Sequence, residues 1–121
     1  MKIKKEAILA FIDDNKEILP LSSIAELLNA KIRTLKMYED KFLLPLKDNK
    51  AKKLYSIEDI RIIAFVHYLA SFKKINANGI KYIVEMLHQN MDEKSRNDFL
   101  NIVESKMKEL SGTEYKDIDN I

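Results

Sequence analysis

Leu21-Ser22-Ser23-Ile24-Ala25-Glu26-Leu27-Leu28, then Asn29-Ala30-Lys31, then Ile32-Arg33-Thr34-Leu35-Lys36-Met37-Tyr38-Glu39-Asp40-Lys41-Phe42 run on without a break, and this stretch decides the fold. Ser22 or Ser23 can cap a short helix, and Glu26, three residues after Ser23, fits the pattern in which a serine hydroxyl and an acid satisfy each other's exposed backbone N–H groups. Ile24, Leu27 and Leu28 give that helix a buried stripe. Asn29-Ala30-Lys31 is short and polar enough to turn the chain, and asparagine tolerates the left-handed backbone a tight turn needs. Ile32, Leu35 and Glu39 then recur at helical spacing to about residue 42, which leaves Lys31, Arg33, Lys36 and Met37 on the outside.

Further along, Leu43-Leu44-Pro45 stops the second helix. Leu46 to Tyr55 carries Lys47, Lys50, Lys52 and Lys53 around Asp48-Asn49, a turn predicted between two short strands. The order is that of a winged helix-turn-helix: a first helix crosses the nucleic-acid backbone, and a second lies in the major groove. Such a second helix needs a thin apolar face toward its own domain and long donors on the other, for phosphates and base edges. Charge follows the same division. Net charge is only +2, yet residues 31–55 hold eight Lys or Arg against Glu39, Asp40 and Asp48, while the segments on either side are slightly acidic. A charge run alone is as readily a solvated surface, but on this helix and hairpin it suits counterion release from phosphates.

On the N-terminal side, Ile3, Ala7, Ile8, Phe11 and Ile12 predict an amphipathic helix over about residues 4–16, ended where Pro20 forces Leu19 out of helical geometry. On the C-terminal side, Ser56 with Asp59 opens a helix whose broad apolar face, Ile60 to Phe72, is the best candidate for the core. Lys73-Lys74-Ile75-Asn76 breaks it; Asn76 can cap the next helix, and the lysine pair is a candidate second phosphate contact. Asp92 can start a last helix to about Leu110, in which Leu100, Val103, Met107 and Leu110 have the spacing of a coiled-coil seam, or of a helix packed on its own domain. The expected division is an N-terminal helix over 1–17, a DNA-binding domain over 18–90, a dimerisation helix over 91–111 and a tail over 112–121.

At 121 residues with 46% apolar and 33% charged content, the chain has room for one globular domain plus a pairing helix. No apolar stretch approaches the roughly 20 residues of a membrane span. Acidic residues Glu6, Asp13 and Asp14 interrupt the N-terminus as a signal peptide, so a cytoplasmic location is expected. The lack of cysteine agrees, and it removes disulfides and thiolate metal sites together. His67 and His88 lie far apart without carboxylates at ligand spacing, so they read as packing or surface residues and no metal or cofactor is expected. With two glycines, no phosphate loop and no nucleophile beside a base, an enzyme is not expected either.

Over residues 21–88 the chain resembles the MerR-type transcriptional regulators. Arg33-Thr34-Leu35-Lys36-Met37-Tyr38-Glu39 is similar to the family's R-T-L-R-x-Y-E recognition helix, and Leu21-x-x-Ile24-Ala25 to its opening helix. Leu43-Leu44-Pro45 is similar to its G-L-L-x-P exit without the glycine, and Lys53-Leu54-Tyr55-Ser56-x-x-Asp59 resembles R-x-Y-S-x-x-D after the wing. Asn29 and Phe42 stand where the family has glycine, Lys36, Lys47 and Lys53 where arginine is common, and one residue is inserted near Lys73-Lys74. Lysine lacks arginine's bidentate fork, so these contacts lean toward phosphate charge and away from base discrimination.

The resemblance implies a regulator that binds inverted-repeat promoter DNA as a dimer through the helix from Asp92 to Leu110. It is similar to small members without an effector domain, whose termini are available to a protein partner. Arg33 and Lys36 would then reach the major groove, with Lys31, Thr34 and Tyr38 on the backbone and Lys47, Lys50, Lys52, Lys53 and Tyr55 on phosphates. The rings of Tyr38 and Tyr55 are equally suited to the core, with only the hydroxyl reaching out. Two other functions compete: an architectural or excisionase-like winged protein with little sequence selectivity, and a protein-interaction adaptor.

Overall fold

A computed structural model describes residues 16–47 and 53–109. Their order is β1 (Glu17–Leu19), α1 (Leu21–Leu27), α2 (Ile32–Asp40), β2 (Tyr55–Ser56), α3 (Ile57–Ser71), α4 (Ala77–Gln89) and α5 (Glu93–Glu109). The fold is mainly helical with a small antiparallel sheet, as the pattern predicted. The expected N-terminal helix as far as residue 15, the expected wing turn with Lys50 and Lys52, the seam residue Leu110 and the tail over 112–121 lie outside the described residues.

The first helix begins earlier than its serines suggested. Pro20 is the N-cap (φ −75°, ψ 164°), and its carbonyl accepts the Ser23 and Ile24 N–H groups at 3.1 and 3.3 Å. Ser22 and Ser23 therefore lie inside the first turn, and no side chain caps the helix. Proline already supplies the extended geometry an N-cap needs, since its ring fixes φ.

At the other end of α1, Asn29 adopts a left-handed backbone (φ 54°). Its N–H goes to the Glu26 carbonyl at 3.1 Å and that of Ala30 to Ala25 at 2.9 Å, the paired closure that ends helices at a left-handed residue. The exit of α2 repeats it with Phe42 (φ 60°): Phe42 N–H bonds Glu39 at 3.0 Å and Leu43 N–H bonds Tyr38 at 3.0 Å. Phe42 thus adopts the left-handed backbone that glycine takes most readily. At the exit of α3 the left-handed residue is Lys74 (φ 57°), and Ile75 N–H reaches back six residues to the Leu69 carbonyl at 3.0 Å. That loop is one residue wider than the other two.

The strands pair differently from expectation. Two strands were expected to flank Asp48-Asn49, but Tyr55–Ser56 pairs instead with Glu17–Leu19, Glu17 opposite Ser56 and Leu19 opposite Tyr55 with an irregularity between. Pro45 to Lys47 and Lys53-Leu54 carry no strand. The segment before α1 offers β2 an extended partner, because Pro20 holds the chain extended just after it.

Ser56 then caps α3 as the sequence predicted. Its hydroxyl accepts the Asp59 N–H at 3.1 Å and the Asp59 carboxylate accepts the Ser56 N–H at 3.0 Å. Ile57, Ile60, Ile62, Ile63, Ala64, Phe65, Val66, Tyr68 and Leu69 are all buried. A helix apolar around so much of its circumference must be enclosed, and α3 is the core helix. Asn76 caps α4 by accepting the Gly79 N–H at 2.9 Å. A side chain at Gly79 would crowd the Ile75 methyl, which its Cβ would meet at 2.8 Å.

The chain divides into two compact units, the first ending at Lys81 and the second starting at Tyr82. In the second, Asp92 opens α5 as expected: Ser95 N–H donates to its Oδ1 at 2.7 Å, which holds the carboxyl below its usual range. Arg96 closes the corner. Its guanidinium donates to the carbonyls of Leu87, His88 and Met91 at 3.1, 3.4 and 3.0 Å, placing a cation where the last turn of α4 leaves carbonyls unpaired. Leu100 and Val103 are buried in the single chain and Met107 is half-buried, whereas Ile102 on the same helix is 59% exposed.

Candidate nucleic-acid interface

Helix α2 is held from one side only. Leu35 and Tyr38 are buried, and Tyr38 reaches α3, where its hydroxyl bonds Nδ1 of His67 at 2.9 Å. Ser71 approaches the same nitrogen at 3.3 Å. Burial lowers the His67 pKa below its ordinary 6.5, which favours the uncharged ring near neutral pH. Burial likewise raises the Tyr38 hydroxyl, partly offset by Ser71. His67 is thus a packing residue, as its sequence context indicated.

The opposite side of α2 presents Lys31, Arg33, Lys36 and Met37 to solvent, with Thr34 half-buried. Among the described residues Lys31, Arg33 and Lys36 have no ion-pair partner, so their charge is available. The N-terminus of α2 has no side-chain cap either, and unpaired amides at a helix N-terminus attract anions. Helix dipole and side chains therefore favour the same partner at the same end.

Lys47 and Lys53, the two expected wing lysines among the described residues, differ from each other. Lys47 is only 15% exposed; its ammonium bonds the Asp59 carboxylate, lies 3.3 Å from Glu17 Oε2 and sits 5.3 Å from the centre of the Tyr55 ring. Burial pulls its pKa down, but the pairing with Asp59 and then Glu17 outweighs it and the net shift is upward. Lys53 is 44% exposed and rests 3.4 Å from Glu39 Oε2. Tyr55 is buried, and its hydroxyl donates to the same Glu39 oxygen at 3.2 Å. Burial, followed by the neighbouring Glu39 charge, pushes that hydroxyl to a pKa of about 12. Lys73 and Lys74 are exposed beyond α3, with the Lys73 ammonium 5.8 Å from the Tyr68 ring centre.

The expected site residues therefore fall into two groups. Lys31, Arg33, Lys36, Lys53, Lys73 and Lys74 are open to solvent, with Thr34 half-buried; Tyr38, Lys47 and Tyr55 are drawn into the protein by partners of their own; Lys50 and Lys52 lie outside the described residues. Besides Asp59, which sequence marked only as a helix cap, those partners are Glu17, Glu39 and His67, and sequence reasoning missed them. They lie 30, 16 and 29 residues from the groups they bond, and nothing in local spacing marks so distant a pairing.

Two helices joined by a left-handed asparagine, the second anchored behind and basic in front, define a helix-turn-helix protein. The family model described as MerR HTH family regulatory protein matches residues 19–87, over half the chain. The chain belongs to that family of DNA-binding transcription regulators. A solved structure with the same fold is the transcription regulator PbrR691 from Ralstonia metallidurans CH34, in complex with lead(II): TM-score 0.53, 18% identity, 84% of each chain covered. A search of curated protein sequences found no match. Among the described residues, no group of three or more His, Asp or Glu is placed to hold a metal ion, and no helix is long and apolar enough to cross a membrane.

Proposed function

We propose that this protein is a sequence-specific transcription regulator that acts as a dimer on inverted repeats in promoter DNA. The observation that carries the reading is α2: Leu35 and Tyr38 fix its inner face while Arg33 and Lys36, one turn apart, stand unpaired on its outer face among the described residues. Arg33 supplies a two-pronged donor suited to guanine and Lys36 a point charge. Lys31 and Thr34 at the N-terminus of α2 hold the sugar-phosphate backbone. Lys50, Lys52 and Lys53 add phosphate contacts from the wing, and Lys73 and Lys74 add a second set.

Pairing of two copies is assigned to α5. Of its expected seam residues, Leu100 and Val103 already pack within the chain and Leu110 lies outside the described residues, so Met107, with the exposed Ile102 on the same helix, is offered to a partner copy. Two-fold symmetry then makes the operator an inverted repeat, because each recognition helix reads one half-site.

Selection of the purified protein against a random duplex library at near-physiological salt tests this reading. Enrichment of an inverted repeat is the expected result. Retention of DNA without any motif would replace the reading with an architectural protein, and failure to retain DNA with an adaptor.

A further inference from the structure

Glu39 places a carboxylate near the C-terminal end of the helix that carries Arg33 and Lys36. The helix dipole is negative there, so an acid in the last turn is disfavoured unless donors offset it. Two donors do, through one oxygen: Tyr55 Oη at 3.2 Å and Lys53 Nζ at 3.4 Å from Oε2. They are not equivalent. Tyr55 is buried and part of β2, so it stays; Lys53 reaches Glu39 from solvent on a flexible stem, as an exposed pair of the kind that contributes little. Phosphates of a duplex, closely spaced and uniformly negative, compete well for such a cation.

We propose that Glu39 sets the strength of DNA binding by holding Lys53 on the protein until a phosphate takes the carboxylate's place, an inference that rests on the DNA-binding reading above. The contact made by Lys53 is then an exchange of one anion for another. It leaves Glu39 bonded to Tyr55 alone, a negative charge beside the DNA, and this returns part of what the phosphate contact gains. Glu39 is a positioning residue that touches no DNA itself and lowers affinity for every duplex that engages Lys53.

Glu39→Gln separates the two duties, because the amide oxygen still accepts from Tyr55 while the charge competing for Lys53 is gone. In equilibrium binding of the full chain to a mixed-sequence duplex, the variant is expected to bind roughly two- to fivefold tighter at low salt, the range an exposed ion pair commands. The gain should shrink as salt rises and disappear when Lys53→Ala is added. Unchanged or weaker binding by a folded Glu39→Gln protein, or a gain that survives Lys53→Ala, would overturn the proposal. A wild-type protein that binds no duplex at all would remove the DNA-binding reading, and the proposal with it. In the unaltered protein the carboxyl-carbon resonance of Glu39 should move when the duplex is added, and should move less in Lys53→Ala. A resonance that stays in place in the wild type would overturn the proposal without recourse to Glu39→Gln.

Discussion

Phe42 holds its backbone at φ 60° with a ring 69% exposed, so the cost of the left-handed geometry is not offset by burial of the side chain. For a residue with a Cβ that geometry costs about 1–2 kcal/mol, most of which glycine avoids at some expense in unfolded-state entropy. Phe42→Gly is therefore expected to raise stability by roughly 0.5–1 kcal/mol and Phe42→Ala to give no such gain, measured as denaturant midpoints side by side. A drop in stability for Phe42→Gly would mean that the ring packs usefully after all. Tyr55 presents the opposite case, a hydroxyl whose partner is hidden from sequence. Tyr55→Phe removes a hydrogen bond to a charged group and should cost about 1.5–3 kcal/mol near neutral pH. It should also change the alkaline limb. Folding raises this hydroxyl from 10.0 to about 12, so the folded state keeps a proton that the unfolded state gives up. The associated stability is complete below pH 10 and is lost as pH rises through 12. Melts across that window should show a shallower decline in Tyr55→Phe than in wild type; equal slopes would show that Tyr55 does not gain its proton affinity on folding.

Lys47 ties together three separate elements: Glu17 of β1, Asp59 in the first turn of α3 and the ring of Tyr55 in β2. Because its ammonium is largely enclosed and twice paired, it braces β1, β2 and α3 against one another, and it is expected to hold no phosphate. Lys47→Met should lower stability by about 2 kcal/mol, the scale of removing a charged hydrogen bond and leaving its partner behind. The salt dependence of DNA binding should keep its slope, whereas a lysine that neutralised a phosphate would, on removal, make that slope shallower by about 0.9. These elements also show what sequence carries and what it withholds. The caps at Ser56, Asn76 and Asp92, the left-handed turn at Asn29 and the apolar run of α3 were legible, because each rests on neighbours a few residues apart. The pairing of β2 with Glu17–Leu19 was not, because it closes a loop of more than thirty residues and depends on which extended segments meet. The same holds within the site. The outward side of α2 could be read from helical period alone, but the inward commitments of Lys47 and Tyr55 needed the tertiary fold to bring acids beside them.

Over the whole molecule, charge is divided more sharply than the net value of +2 suggests, with the excess on residues 31–55 and a slight acidic balance on both sides of them. A segment of that charge is attracted to a polyanion, so electrostatics favours approach through it before any base is read. Affinity and selectivity then come from different residues. Arg33→Ala, by removing a donor pair suited to a base edge, should weaken binding to the selected inverted repeat by about 1–3 kcal/mol more than binding to random DNA. Lys50→Ala should weaken both about equally and make the salt slope shallower by about 0.9 for each phosphate it no longer neutralises. Titrations of both variants against operator and random duplexes, each at several salt concentrations, measure the two effects together. Equal weakening on both duplexes for Arg33→Ala would remove it from base reading. An unchanged slope for Lys50→Ala would remove it from the phosphates, leaving Lys31, Lys52, Lys53 and the pair Lys73 and Lys74 to supply the electrostatic grip.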